Sequence, residues 1–486
     1  MKKKTVRKNK HKSNFKHRKK TRRNTKNNTK NNTRIIKNIG LYDKPPELII
    51  IDGFKILLLP IKNIGACYIS CNIHGGFSHE TPKTRGAIHL LEHVLTSAWN
   101  KCLDNVCSGI TTKGIMHNAF TNIQYSGYYA VGNCKDINII LDYITSITLS
   151  PVITQTNIDI EKSAVRTELY NLMQTNIWNM YYAMNKALYK DKNIYESYNL
   201  ESMLKNIDNL TLSTLQDAFM ETHVPDCMIY TISGNFNRSS VISTLKRMIK
   251  NKKPACKTRC LSTQLYNSNC YKNQRVIHYV KNIKASGVYS MYLVFPTELL
   301  AHDDAYIYST FLKHTFGGTM NGIFHKILRS KLKLVYSVKV ESHTLLCGTI
   351  FVINTTVTHK NFLPTIIEII NILKLYSNIK LPNAELASIK NTYLTEFLLM
   401  CQTSPTALSK YYTHQYLAKA RQRQKIKTIR QMYAEIVNIS GSKLRNCIKE
   451  WFDFSKAVLI YSGQHEVRFS KKNPLTWENL LQKANK

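Results

Sequence analysis

Two neighbouring stretches decide how this chain is read: Gly75-Gly76-Phe77-Ser78-His79-Glu80, and then Gly86-Ala87-Ile88-His89-Leu90-Leu91-Glu92-His93. A helix is predicted from about Thr84 to Ala98. His89 and His93 are four apart on it and share a face, so both imidazoles can meet one ion. Glu92 lies beside His93 and one turn beyond His89, which brings a carboxylate near any water held there without making it a ligand. A zinc ion that does chemistry takes three protein ligands and keeps a fourth position open. The acidic candidates for the third ligand are Glu161 and Glu168, seven apart on a later helix and therefore two turns apart on one face. The plain alternative is a surface helix carrying two solvated histidines. Against it, Leu90, Leu91, Val94 and Leu95 form an apolar face, and polar groups on a half-buried helix need partners.

Outward from this motif, strands and helices alternate. Strand-like runs at Leu48–Ile51, Lys55–Pro60 and Ala66–Ile73 lead into the Gly75-Gly76 turn. The segment Ile110–Val131 reads as extended. Helices are expected near Cys134–Thr148, Asn157–Met173 and Leu212–Thr222, then a strand at Met228–Ile232 and a helix near Ser239–Lys250. Residues 251–274 are polar and basic, contain Pro254, and read as a linker. The second half repeats the order. A strand at Tyr289–Phe295, a helix near Asp303–Thr315, Gly317-Gly318, a further helix, strands at Val335–Glu341 and Thr349–Thr355, and helices near Phe362–Tyr376 and Asn383–Cys401 are expected. Ile229-Tyr230-Thr231-Ile232-Ser233-Gly234 recurs as Leu459-Ile460-Tyr461-Ser462-Gly463. The expected fold class is α+β, with two tandem homologous α/β-sandwich units, each an antiparallel-rich sheet covered by helices. The expected layout is a tail at 1–40, a zinc-binding unit at 41–250, the linker at 251–274 and a second unit at 275–486.

The 486 residues carry a formal net charge of +39, unevenly spread. Residues 2–37 are rich in Lys, Arg, Asn and Thr and lack Asp and Glu. Such a segment buries too little apolar surface to offset its chain entropy, so disorder is expected. It has neither the apolar core of a secretory signal nor the amphipathic face of a mitochondrial presequence. An anionic surface or nucleic acid is the partner its charge fits. No apolar run approaches the roughly 18 residues a membrane helix needs, so no membrane insertion is expected. Twelve cysteines are scattered without the paired spacing of a structural zinc site, which leaves free thiols in a reducing compartment as the expectation. The expected location is intracellular, with cytoplasm, nucleus and virion undistinguished. The Lys-, Asn- and Ile-heavy composition fits an AT-rich genome, such as that of a large DNA virus or a protist.

From residue 45 onward the sequence resembles the pitrilysin/insulinase/mitochondrial processing peptidase family of inverzincin zinc metallopeptidases, in which the acid precedes the second histidine. The two opening stretches resemble the family's signature. Asn118-Ala119-Phe120-Thr121, followed by Tyr128-Tyr129, resembles its substrate-edge strand. Glu161 and Glu168-Leu169 resemble its paired glutamates, and Leu328-Arg329-Ser330-Lys331 through Leu334-Val335-Tyr336-Ser337-Val338 resembles a signature of its later domain. Lys333 stands where the family usually has Gly, and the Gly-rich segment ahead of Arg329 is shorter.

The resemblance implies one zinc ion per chain, held by His89, His93 and Glu168, with Glu161 supporting the site from outside the metal's own ligands. Glu92 is then the general base of an endopeptidase acting on extended peptides or protein segments. Asn118 and Ala119 would pair with the substrate, and Arg329 and Tyr336 would hold its backbone at the scissile bond. The family's full shell needs four such units and this chain has two, so a homodimer or a heterodimer with a homologous subunit is implied. A rival class is a non-catalytic homologue serving as a scaffold or assembly subunit. Such subunits typically lose a ligand or the base, and this chain keeps all four groups.

Overall fold

A computed structural model describes residues 44–100, 108–252, 270–300, 306–317, 320–345, 347–419 and 426–484. The expected basic tail at 1–40 and most of the expected linker lie outside them. The chain begins with β1 (Glu47–Ile51) and β2 (Phe54–Pro60), joined at Asp52-Gly53. Both turn residues have positive φ, 47° and 84°, the geometry that twists a two-residue hairpin correctly and that Asp-Gly tolerates. Next come β3 (Ala66–Ile73), α1 (Ala87–Asn100), α2 (Ser108–Thr112), β4 (Met116–Thr121) and β5 (Ser126–Asn133). The region expected to be extended from Ile110 thus opens with one helical turn, which seats Ile110 in the core before Gly114 (φ 62°) ends it. Helices α3 (Ile137–Leu149), α4 (Gln155–Gln174), α5 (Ile177–Leu188), α6 (Lys192–Glu196), α7 (Leu200–Asn206) and α8 (Leu212–Thr222) lead to β6 (Met228–Gly234) and α9 (Arg238–Lys252).

The second unit follows with β7 (Val276–Lys281), β8 (Val288–Thr297), α10 (Tyr306–Phe316), a π-helical turn (His325–Lys331), β9 (Val338–Leu345) and β10 (Gly348–Thr358). It ends with α11 (His359–Asn378), α12 (Asn383–Thr403), α13 (Pro405–Lys419), α14 (Ile429–Val437), α15 (Gly441–Trp451), β11 (Val458–Gly463) and α16 (Trp477–Lys483). The strand expected from Val335 starts later, at Val338, because Lys333 adopts φ 54° and turns the chain just before it.

The two sheets run β1-β2-β6-β3-β5-β4 and β7-β11-β8-β10-β9. From β2 and β7 onward the orders correspond, and in each the parallel pair is the one joining that strand to the unit's last strand. The homologous units are therefore real. They also exchange helices. Helix α5 of the first unit packs on β11 and β7, and α13 of the second packs on β6 and β3. The recurrent Ser-Gly of the two closing strands marks both docking points. The Ser233 hydroxyl donates to the Pro405 carbonyl at 3.0 Å and accepts from Ser409 at 2.7 Å, while Ser462 accepts from the Asn176 side chain. Leu57, Leu59 and Ile229 on the back of the first sheet join one buried cluster with Leu408 and Tyr412 of α13. The expectation of unpaired cysteines fails: among the described residues Cys67 bonds to Cys134 and Cys270 to Cys347, and Cys227 is disulfide-bonded as well. The partners are 67 and 77 residues apart, so no local spacing announces them, while the fold brings their Cα atoms to 4.8 and 5.7 Å. Among the described residues no single helix is long and apolar enough to cross a membrane.

Candidate metal centre

Helix α1 is anchored before it carries any chemistry. A Cβ at Gly76 would lie 2.1 Å from the Asn122 carbonyl, so only glycine lets the turn after β3 press against the β4–β5 turn. Beyond it, buried Glu80 accepts hydrogen bonds of 2.9 Å from the backbone N–H groups of Gly86 and Ile88, two donors the helix start would otherwise leave unpaired. Burial pushes the Glu80 carboxyl up to about 7, against the pull of those N–H groups and of Arg85. The Arg85 guanidinium is buried as well and donates to Ser197 at 3.1 Å. Leu90, Leu91, Val94 and Leu95 of α1 are fully buried, each worth about 1.5–3 kcal/mol of transfer energy. That burial turns the other stripe, His89, Glu92 and His93, toward α4 and β4.

The expected constellation assembles on that stripe. Glu168 Oε2 lies 3.5 Å from His89 Nε2 and 3.3 Å from His93 Nε2. Glu161, two turns earlier on α4, places Oε2 3.4 Å from the other nitrogen of His93, Nδ1. His89, His93 and Glu168 each offer a donor atom, all within 4.8 Å of one another. A tetrahedral zinc with ligands at about 2.0–2.2 Å needs those ligands about 3.4 Å apart, so both the donor types and the spacing fit. Among the described residues this is the one group of three or more His, Cys, Asp or Glu so placed.

Electrostatics divide the carboxylates. Hydrogen bonds from His89 and His93 hold Glu168 far below the usual carboxylate range. Burial depresses the His93 imidazolium, but its hydrogen bond to Glu168 and the charges of Glu92, Glu168 and Glu161 outweigh that and raise it. Burial pushes the Glu92 carboxyl up, opposed by a hydrogen bond from Thr121 and by the two imidazoles. The Thr121 hydroxyl donates to Glu92 Oε2 at 2.6 Å. In the sequence Thr121 is only the end of a strand motif. Nothing in its spacing from Glu92 announces the contact, which exists because β4 crosses α1.

A cleft of about 560 Å³ opens over these groups, lined by His89, Glu92, His93, Glu161, Glu168 and residues 117–121 of β4. Asn118 and Ala119 are therefore in the cleft. Among the described residues β4 pairs only with β5 and ends its sheet, which leaves its outer edge without a partner strand there. Arg329 and Tyr336 are elsewhere. They stack on each other, guanidinium 4.8 Å from the ring centre, with Arg329 also 3.0 Å from His325 Nε2 and Tyr336 80% exposed. Neither lines the cleft of its own chain.

Two family models match this chain, "Insulinase (Peptidase family M16)" over residues 56–198 and "Peptidase M16 inactive domain" over 209–393. The chain belongs to peptidase family M16. The first match contains His89, Glu92, His93, Glu161 and Glu168, so the word "inactive" falls on the half of this M16 chain that carries Arg329 and Tyr336. An uncharacterized zinc protease of Streptomyces coelicolor is 29% identical over 119 residues, 24% of this chain and 26% of that one. The beta subunit of the mitochondrial-processing peptidase of Saccharomyces cerevisiae is 21% identical over 192 residues, 39% and 41% of the two chains. The matched stretches thus span less than half of these relatives. In fold, a Helicobacter pylori protease matches with a TM-score of 0.74 at 16% identity, covering 86% of this M16 chain and all of its own. The periplasmic protease PqqL of Escherichia coli matches with 0.70 at 15% identity, covering 92% of this chain but 50% of its own.

Proposed function

We propose that this M16 chain is a zinc-dependent endopeptidase, with Glu92 as its general base. The observation that carries the reading is the shared approach of His89 Nε2 and His93 Nε2 to Glu168 Oε2, with the Glu92 carboxylate lining the same cleft. His89, His93 and Glu168 would hold the metal. When bound, zinc supplies Lewis acidity, polarising a peptide carbonyl and bringing the pKa of water from about 15.7 to about 7. The chain's own groups do the rest. Glu161 Oε2, 3.4 Å from His93 Nδ1, would accept that nitrogen's proton, fixing the tautomer and leaving Nε2 its lone pair. Glu92 removes the proton of the attacking water and delivers it to the leaving amine. An extended peptide would add to the free edge of β4 beside Asn118 and Ala119, its main chain supplying the hydrogen bonds.

Arg329 and Tyr336, apart from the cleft and with Tyr336 open to solvent, are best used across an interface. In this reading one chain is half of a shell, and a second copy or a homologous subunit brings its own Arg–Tyr pair to the cleft, where it stabilises the oxyanion. The matched yeast protein is by its name a subunit, and PqqL is about twice the length of the match. The test is zinc content and peptide cleavage by purified protein. The proposal expects about one zinc per chain and cleavage abolished by chelator and restored by zinc. A protein that cleaves without metal, or holds zinc and cleaves nothing as an assembled dimer, would overturn it.

A further inference from the structure

We infer that Thr121 is the positioning residue of Glu92, an inference that rests on Glu92 being the base. Along β4 the side chains alternate: Met116, Asn118 and Phe120 are exposed, whereas His117, Ala119 and Thr121 are half-buried. Thr121 therefore faces α1 from the strand that borders the cleft, and its hydroxyl meets Glu92 Oε2 at 2.6 Å. Its backbone is held in register opposite Ser126 of β5, so the hydroxyl is presented by a rigid strand rather than a loop. The terminal torsion of a glutamate side chain is broad, and an unheld carboxylate samples many orientations. A hydrogen bond to one oxygen restricts that freedom and leaves Oε1 as the other acceptor of a side chain that lines the cleft. The same strand carries Asn118 and Ala119, so peptide pairing along β4 and the orientation of the base share one rigid element. Val in place of Thr keeps the branched shape and loses the donor, while Ser keeps the donor and loses the methyl.

The experiment compares Thr121→Val and Thr121→Ser with the full chain in its zinc-loaded, assembled form. Thr121→Val should keep wild-type zinc content and leave KM within about twofold while lowering kcat about 10–100-fold, as for a misplaced catalytic group. Thr121→Ser should return kcat to within about threefold of wild type. Unchanged kcat in Thr121→Val, no rescue by Ser, or a loss confined to KM would each overturn the assignment. A second readout needs no turnover. In zinc-free protein, a double-mutant cycle of Thr121→Val with Glu92→Leu should show coupling of about tenfold in the unfolding equilibrium constant, and no coupling means no bond. If the wild type shows no chelator-sensitive cleavage, the peptidase reading fails on its own account, and the cycle alone decides whether Thr121 holds Glu92.

Discussion

Glu161 and Glu168 lie on one face of α4, yet changing each to glutamine should have different consequences. Glu168 Oε2 is the atom both imidazoles approach, at 3.5 and 3.3 Å. Glu168→Gln replaces an anionic donor with a neutral amide and should leave no zinc bound in an equimolar mixture with a metal buffer. Glu161 lies 3.4 Å from the far nitrogen of His93, and its side chain is 13% exposed, so water screens that contact little. Losing a partner that orients a ligand typically weakens metal binding about 10–100-fold, or roughly 1.4–2.7 kcal/mol. Glu161→Gln should therefore bind zinc measurably but more weakly. Competition against a chelator of known affinity reads both values, and far-UV circular dichroism confirms that each variant is folded. If Glu161→Gln releases the metal while Glu168→Gln stays within about tenfold of wild type, the ligand assignment is reversed and the tetrahedral argument fails with it.

Glu92→Gln should keep zinc near stoichiometric and lose about two to four orders of magnitude in rate, whereas loss of metal or normal cleavage would deny it the role of base. Mixing Glu92→Gln with Tyr336→Phe after dissociation and reassociation should restore part of the activity, since one site in the mixed dimer has both an intact base and an intact Tyr; proven mixed dimers without rescue would refute the shared site. His223 is buried, and loss of hydration pushes its imidazole from the usual 6.5 down to about 3. Below pH 6.5 the unfolded chain takes up a proton that the folded chain refuses, so His223 lowers stability by roughly 2 kcal/mol between pH 7.5 and 5, and the denaturant midpoint of His223→Asn should fall less over that range. Leu408→Ala empties a fully packed position where α13 meets the first sheet and should cost about 2–5 kcal/mol by denaturant unfolding; a change below about 1 kcal/mol would mean the two units are not packed as described.

The sequence reveals the histidine–glutamate stripe because helical spacing is local. His89, Glu92 and His93 sit within five residues, and Glu161 and Glu168 within two turns, so period alone puts each set on one face. The paired sheets are nearly as plain, since their strands are apolar runs closed by turn residues. What escapes is whatever depends on contact between distant segments. Neither α5 nor α13 is predicted, although both are helical for three turns or more. Helix α13 has no apolar stripe to detect: Leu408 and Tyr412 face buried surroundings while Lys410 reaches over the Tyr129 ring. The same helix meets its own unit and the other unit's sheet, which smears its pattern around the axis. The recurrent Ser-Gly is visible in the sequence as a repeat, but its use as an anchor for the other unit's helix is not. The cysteine pairs and the Thr121–Glu92 bond escape for the same reason.

The second unit also pairs a histidine with a glutamate. Glu168 is the fourteenth residue of α4, and Glu396 is the fourteenth residue of the corresponding α12. A histidine faces it from the neighbouring helix here too, His314 Nδ1 lying 3.4 Å from Glu396 Oε2. Each unit thus brings one imidazole and one carboxylate together between two helices. In the first unit the residues three and four beyond the histidine are Glu92 and His93. In the second they are Gly317 and Gly318, which offer neither a base nor a ligand. Two donors do not complete a zinc site, and a fixed unpaired charge in a half-buried position is unfavourable. The pair has relaxed accordingly, with burial and nearby Lys313 pushing His314 down to about 4 and burial pushing the Glu396 carboxyl up. The proposed zinc site therefore belongs to the first unit, whose helix α1 supplies Glu92 and His93 beside His89.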